Sequence, residues 1–85
     1  GTATLTDNGV FVYSSDTTGN ITSDTKITST GSTGSNFGIF SAGTVDNKGD
    51  ITFTNGTGNV GVYAINNGNI TNSGNITLGA STSSS

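Results

Sequence analysis

Eighty-five residues with a net charge of −3, two lysines and no histidine do not suit a nucleic-acid or anionic-membrane partner. With 28% apolar and 8% charged residues and no cysteine, disulfide frameworks and thiolate metal sites are excluded, and an ordinary hydrophobic core is out of reach. Disorder is the first alternative for so few large hydrophobes, but low charge, absence of proline and regularly placed hydrophobes argue against it.

Gly1 to Thr6 alternates Ala3 and Leu5 with Thr2, Thr4 and Thr6, a short strand pattern. Leu5 falls where Phe53 and Leu78 fall in later units, so the chain is expected to start within a repeat. Asp7-Asn8-Gly9 is a turn signal in which Asn8 or Gly9 takes positive φ.

Val10-Phe11-Val12-Tyr13-Ser14 is a second kind of strand and recurs as Phe37-Gly38-Ile39-Phe40-Ser41 and Val60-Gly61-Val62-Tyr63-Ala64. Period-two alternation puts Val10/Phe37/Val60, Val12/Ile39/Val62 and Ser14/Ser41/Ala64 on one side, expected to face inward. Phe11/Gly38/Gly61 and Tyr13/Phe40/Tyr63 then face outward, unless a local bulge swaps the faces. An outward column of Tyr13, Phe40 and Tyr63 is a candidate contact for a glycan or a partner chain; turned inward it is core.

Polar links of variable length follow each such strand, and then comes the most regular unit. It reads Ile21-Thr22-Ser23-Asp24-Thr25-Lys26-Ile27-Thr28, then Val45-Asp46-Asn47-Lys48-Gly49-Asp50-Ile51-Thr52-Phe53, then Ile70-Thr71-Asn72-Ser73-Gly74-Asn75-Ile76-Thr77-Leu78. In each, an aliphatic residue is followed six places later by Ile-Thr across a polar turn. The copies start 24 and then 25 residues apart, the spacing of a solenoid turn. Aligning them stacks Ser23/Asn47/Asn72 into a ladder, with Gly49 and Gly74 suited to a positive-φ corner. Asp24 then opposes Lys48, and Lys26 opposes Asp50. Ser29 to Asn36 is a longer loop, and Gly79 to Ser85 fades into serine.

The expected fold is therefore all-β: a parallel β-helix, or β-solenoid, of about three turns of roughly 23–27 residues. Residues 1–85 read as one solenoid segment, an excerpt of a longer stack or a unit that polymerises end to end. The partners expected first are neighbouring repeats or like subunits at its ends. No apolar run approaches a transmembrane span, so direct membrane insertion of this segment is not expected, and a secretion signal would lie outside these residues.

Catalysis finds little support. Acid–base chemistry needs paired carboxylates or a histidine, and Asp46 and Asp50 alone are close in sequence. No glycine-rich nonapeptide frames them for calcium, so no enzyme activity, metal or cofactor is expected. Thr28/Thr52/Thr77 align after the second isoleucine, and Thr22 aligns with Thr71 but is interrupted by Asp46. Ice binding would want two threonine columns in regular Thr-x-Thr register, which Thr52-Phe53-Thr54 and Thr2-Ala3-Thr4 alone suggest, and exposed strands favour threonine anyway. Asn20, Asn55, Asn69 and Asn75 begin Asn-x-Thr acceptors, several of which are expected by chance in such a composition.

The run Val60-Gly61-Val62-Tyr63-Ala64 followed by Asn66-Asn67-Gly68-Asn69-Ile70-Thr71-Asn72-Ser73-Gly74-Asn75-Ile76-Thr77-Leu78 resembles the repeats of large bacterial autotransporter (type V secreted) adhesins, especially the fusobacterial type. The resemblance covers roughly residues 37–78 and weakens over 10–35, where Thr25 replaces the turn glycine and Phe11 the strand glycine. It implies a right-handed parallel β-helix passenger, extracellular on the bacterial surface and anchored in the outer membrane by a barrel elsewhere. There it would hold binding regions out or bind a host or bacterial surface protein or glycan. Similar repeats occur in secreted filaments and phage fibres, so a filament or fibre subunit is the alternative, with an ice-binding solenoid behind both.

Overall fold

The computed structural model describes residues 1–6, 8–30, 35–54, 57–65 and 69–78. Asp7 of the first turn signal, the middle of the Ser29 to Asn36 loop, Asn55 and the serine-rich end lie outside the described residues. Among the described residues ten short strands follow one another: β1 (Thr2–Leu5), β2 (Val10–Ser14), β3 (Asn20–Ser23), β4 (Lys26–Ser29), β5 (Phe37–Ser41), β6 (Thr44–Asn47), β7 (Ile51–Thr52), β8 (Val60–Ala64), β9 (Ile70–Asn72) and β10 (Ile76–Thr77). They sort by threes into parallel sheets of order β1-β4-β7-β10, β2-β5-β8 and β3-β6-β9. This is the expected solenoid: each coil contributes one strand to each sheet, and every strand pairs with its counterpart in the next coil.

The alignment read from the repeats is the observed register. Ile21 pairs with Val45 and Val45 with Ile70, while Ile27 pairs with Ile51 and Ile51 with Ile76. Coil-to-coil separation is 24 residues at Thr4–Thr28, 27 at Gly9–Asn36, 23 at Asn36–Asn59 and 25 at Asn47–Asn72. Loops absorb the variation, so the sheets stay in step.

Burial follows position in the stack. Ile39, Val45, Ile51 and Phe53 of the middle coil, and Ile27 above it, are fully buried, whereas Ile70 and Ile76 of the last coil are 47% and 38% exposed. Each buried side chain contributes about 1.5–3 kcal/mol, and the last coil forgoes part of that because nothing covers its far side among the described residues. Ile27, Ile51 and Phe53 form the core cluster, with Leu5, Phe11, Val62 and Leu78 packed on it.

One face assignment is corrected. In β2, β5 and β8 the pairing runs 10/37/60, omits 11/38/61, and resumes at 12/39/62. Phe37 meets Phe40 edge-on at 5.8 Å, so residues three apart share the outer face. A β-carbon at Gly38 would lie 3.1 Å from Ile51 Cδ1, and one at Gly61 would lie 2.9 Å from Ile76 Cγ2, so this position faces inward. A bulge-like step therefore sends Val10/Phe37/Val60 outward and Phe11/Gly38/Gly61 inward, the reverse of strict alternation. Val12/Ile39/Val62 and Ser14/Ser41/Ala64 keep the expected inward face, with Ile39 and Ser41 buried.

The step also explains how unequal coils share one interior. The first coil offers Phe11 from one sheet and the small Ser29 from another; the second offers Gly38 and Phe53; the third, Gly61 and Leu78. Each coil thus contributes one large group to this part of the core: Phe11 from the β2-β5-β8 wall in the first, and Phe53 and Leu78 from the β1-β4-β7-β10 wall in the second and third. Ser29 carries a cost, since its buried hydroxyl has no partner among the described residues.

The corners between β6 and β7 and between β9 and β10 revise the role of Gly49 and Gly74. Neither takes a positive φ; among the described residues that conformation belongs to Asn8 (61°), as the first turn signal allowed, and to Gly58 (69°). A β-carbon on Gly49 would instead run into the carbonyl oxygen of Thr25, and one on Gly74 into that of Gly49. Glycine is needed there because successive backbones touch. Gly49→Ala is expected to lower stability by about 1–3 kcal/mol through overpacking, whereas Lys48→Ala, next to it, removes a half-exposed ion pair worth about 0–1 kcal/mol. Urea denaturation of both variants measures the difference.

Candidate functional site: polar corner ladders and an outward aromatic column

The Ser23/Asn47/Asn72 column stands at the corner between the β3-β6-β9 and β1-β4-β7-β10 sheets, in the expected register. Asn47 is fully buried. Its Nδ2 donates to the Gly49 carbonyl (2.8 Å) and to Asn72 Oδ1 in the next coil (2.8 Å), and Asn72 Nδ2 donates to the Gly74 carbonyl (2.8 Å). One amide thus closes its own turn and ties it to the turn below, which is why asparagine suits the position. The ladder is incomplete at the top, where Ser23 Oγ and Asn47 Oδ1 are both buried without partners among the described residues.

A second ladder, not anticipated from the sequence, stands before the β2-β5-β8 sheet. Asn36 Oδ1 accepts the Gly9 N–H at 2.8 Å, and Asn59 Oδ1 accepts the Asn36 N–H at 2.8 Å. Both asparagines are buried. The signal that points to them is asparagine two residues before the strand glycine in both copies, Asn36-Phe37-Gly38 and Asn59-Val60-Gly61. The corner after β2 and β5 uses hydroxyls: Ser14 Oγ accepts the Asp16 N–H at 3.3 Å, and Ser41 Oγ accepts the Gly43 N–H at 2.9 Å. In the first coil Asp16 Oδ1 also accepts the Thr18 N–H and hydroxyl, each at 2.9 Å, and these bonds hold its carboxyl below the ordinary aspartate value.

Lys48 and Asp24, and Lys26 and Asp50, do fall on adjoining rungs, but the ion pair among the described residues is Lys48–Asp46 at 3.8 Å within one coil. Asp50 turns its carboxylate to the Asn75 N–H of the next coil at 3.0 Å. A backbone donor fixed by the stack wins over a flexible lysine that stays hydrated.

Tyr13, Phe40 and Tyr63 form the outward column. The rings stack at 5.2 Å and 15° between Tyr13 and Phe40, and at 5.1 Å and 12° between Phe40 and Tyr63. Tyr13 is 68% and Tyr63 44% exposed. Stacking changes what the column offers: each inner ring face is covered by the next ring, leaving edges and phenol oxygens to solvent. A sugar that needs an open aromatic face would find one only at the ends. The column therefore acts first as a register lock between coils, worth about 0.5–1.5 kcal/mol per ring pair.

Among the described residues no pocket is found, and no group of three or more His, Cys, Asp or Glu side chains converges as a metal site. No helix among them is long and apolar enough to cross a membrane. No protein-family model, curated protein or solved structure matches the chain.

Two substitutions probe these columns by denaturation. Ser23→Asn supplies the amide that Asn47 Oδ1 lacks and is expected to raise stability by about 1 kcal/mol; no gain, or a loss, would count against a ladder open at its top. Phe40→Ala breaks two stacked pairs and the edge-on contact with Phe37, and Tyr13→Ala breaks one stacked pair, so the first is expected to cost roughly three times the second in ring-pair energy, about 1.5–4.5 kcal/mol.

Proposed function

We propose that this segment is a non-enzymatic structural shaft in the passenger of a bacterial cell-surface adhesin, exported and held outside the cell by regions beyond it. The observation that carries the reading is the direction in which the chain spends its specific contacts. The asparagine ladders, the glycine corners and the stacked rings all join coil to coil, and the far edge of β8, β9 and β10 carries exposed Ile70 and Ile76. Such a surface suits continuation by a further coil of the same kind, supplied by the same chain or by a like subunit. The resemblance of residues 37–78 to autotransporter repeats supports the cell-surface setting. A self-assembling extracellular filament or a phage fibre uses the same stacking and differs in where the next coil comes from.

The test is to add that coil. A copy of residues 54–78 joined after residue 78 is expected to raise the thermal midpoint by about 5 °C or more and to slow hydrogen exchange across β8–β10. No rise, with the last coil still exchanging freely, would overturn the shaft reading. Displayed on cells, a shaft keeps its attachment phenotype when Tyr13, Phe40 and Tyr63 are replaced together by serine. Loss of surface or glycan attachment would make the aromatic column the adhesive contact instead.

A further inference from the structure

We propose that the outer face of the β1-β4-β7-β10 sheet binds ice. The register assembles there an array that the linear sequence disperses. Thr4 pairs with Thr28, Thr28 with Thr52, and Thr52 with Thr77, one column running the length of the sheet. Two residues further along each strand, on the same side of the pleat, come Thr6, Thr30 and Thr54. Thr30 donates its N–H to the Leu5 carbonyl at 2.8 Å, so the pairing extends into this second column. Thr4-Leu5-Thr6 and Thr28-Ser29-Thr30 thus stand in step with Thr52-Phe53-Thr54, giving two threonine columns in regular Thr-x-Thr register.

The array is exposed or half-exposed throughout and carries no charge in either column. Its backing is fixed, because Ile27 and Ile51, which precede Thr28 and Thr52, and Phe53, between Thr52 and Thr54, are fully buried and set the strand positions from inside. The Thr4 and Thr28 hydroxyls of the first column approach to 3.3 Å, so these two share one side of the sheet. Parallel pairing sets the axial repeat at about 4.8 Å, and two residues of strand set the lateral repeat at about 6.6 Å. Both repeats lie close to spacings between water oxygens on the prism faces of ordinary ice. Each threonine gives a hydroxyl that can hold a lattice water and a methyl that restrains the water beside it.

The other faces lack this combination. On the β3-β6-β9 sheet the outward column Thr22/Asp46/Thr71 is broken by Asp46, which is paired with Lys48. On the β2-β5-β8 sheet the outward column is aromatic. Lys26, Asp50 and Asn75 bound the threonine face on one side only. The inference is independent of the shaft reading: it needs the coils stacked, but not any particular neighbour at their ends.

The experiment grows an ice front slowly through a dilute solution of the 85-residue chain and measures protein in ice and in the remaining liquid. The wild-type chain and Lys48→Ala, which lies at a corner off this face, are expected to be enriched in the ice. The double variant Thr28→Lys/Thr52→Lys is expected to fall at least tenfold in ice-to-liquid ratio while keeping the β dichroism of the parent. If that variant does not fold, Thr54→Lys in the fully exposed column gives the same reading. Exclusion of the wild-type chain from ice, or equal uptake of folded lysine variants, would overturn the proposal.

Discussion

At the corners between β6 and β7 and between β9 and β10 a carbonyl oxygen of one coil occupies the space that a β-carbon of the next would need. That contact between backbones sets the tightness of the whole stack. It lets Asn47 reach Gly49 in its own turn and Asn72 in the next with one amide, and it keeps the three sheets in a common register. From the register follow the ring column, the threonine columns and the burial of the middle coil. A slip by one residue would undo all of them together, because side chains on a strand alternate between faces.

Stability in such an arrangement is counted by coil rather than by domain. The middle coil is sealed on both sides and contributes most of the buried side chains, while the last coil leaves Ile70 and Ile76 half open. Hydrogen bonding is treated the same way. Interior rungs largely satisfy one another, and of the three orphaned polar atoms among the described residues two, Ser23 Oγ and Asn47 Oδ1, stand where the asparagine ladder loses its regular residue, the third being Ser29 Oγ. A chain with so few hydrophobes folds because each is used by two neighbours, above and below.

Much of this was legible in the sequence. The period, the parallel register, the Ser23/Asn47/Asn72 ladder and the Tyr13/Phe40/Tyr63 column follow from aligning the three units, whereas the outward facing of that column does not. The misreadings have definite causes. Alternation failed in β2, β5 and β8 because a bulge-like step, taken at Phe11 as well as at Gly38 and Gly61, moved Phe37 outward and Gly38 inward. Gly49 and Gly74 were assigned to φ when they serve proximity, a distinction that needs the neighbouring coil in place. The Asn36/Asn59 ladder hid at the end of loops of unequal length. Charge alignment named the right rungs but the wrong pair, since Asp50 had a backbone N–H within reach. Of the threonine lattice, the Thr28/Thr52/Thr77 column follows from the aligned repeats, but the second column was missed, because Thr4-Leu5-Thr6 and Thr28-Ser29-Thr30 come into step with Thr52-Phe53-Thr54 only once the first strand is stacked on the others.

The uneven supply of interior bulk, Phe11 beside Ser29 in the first coil and a glycine beside Phe53 or Leu78 in the next two, has a consequence for how such a chain can change in length. The second and third coils are alike in volume and differ from the first. Duplicating the middle coil, or removing it, still leaves Phe11 facing a glycine and Ser29 facing a large side chain in the coil that follows. Duplicating the first coil would instead set Phe11 against a second phenylalanine and Ser29 against a second serine, crowding one wall and hollowing the other. Length variation is therefore easiest among coils of one volume class, and the first coil is a junction that the stack tolerates once.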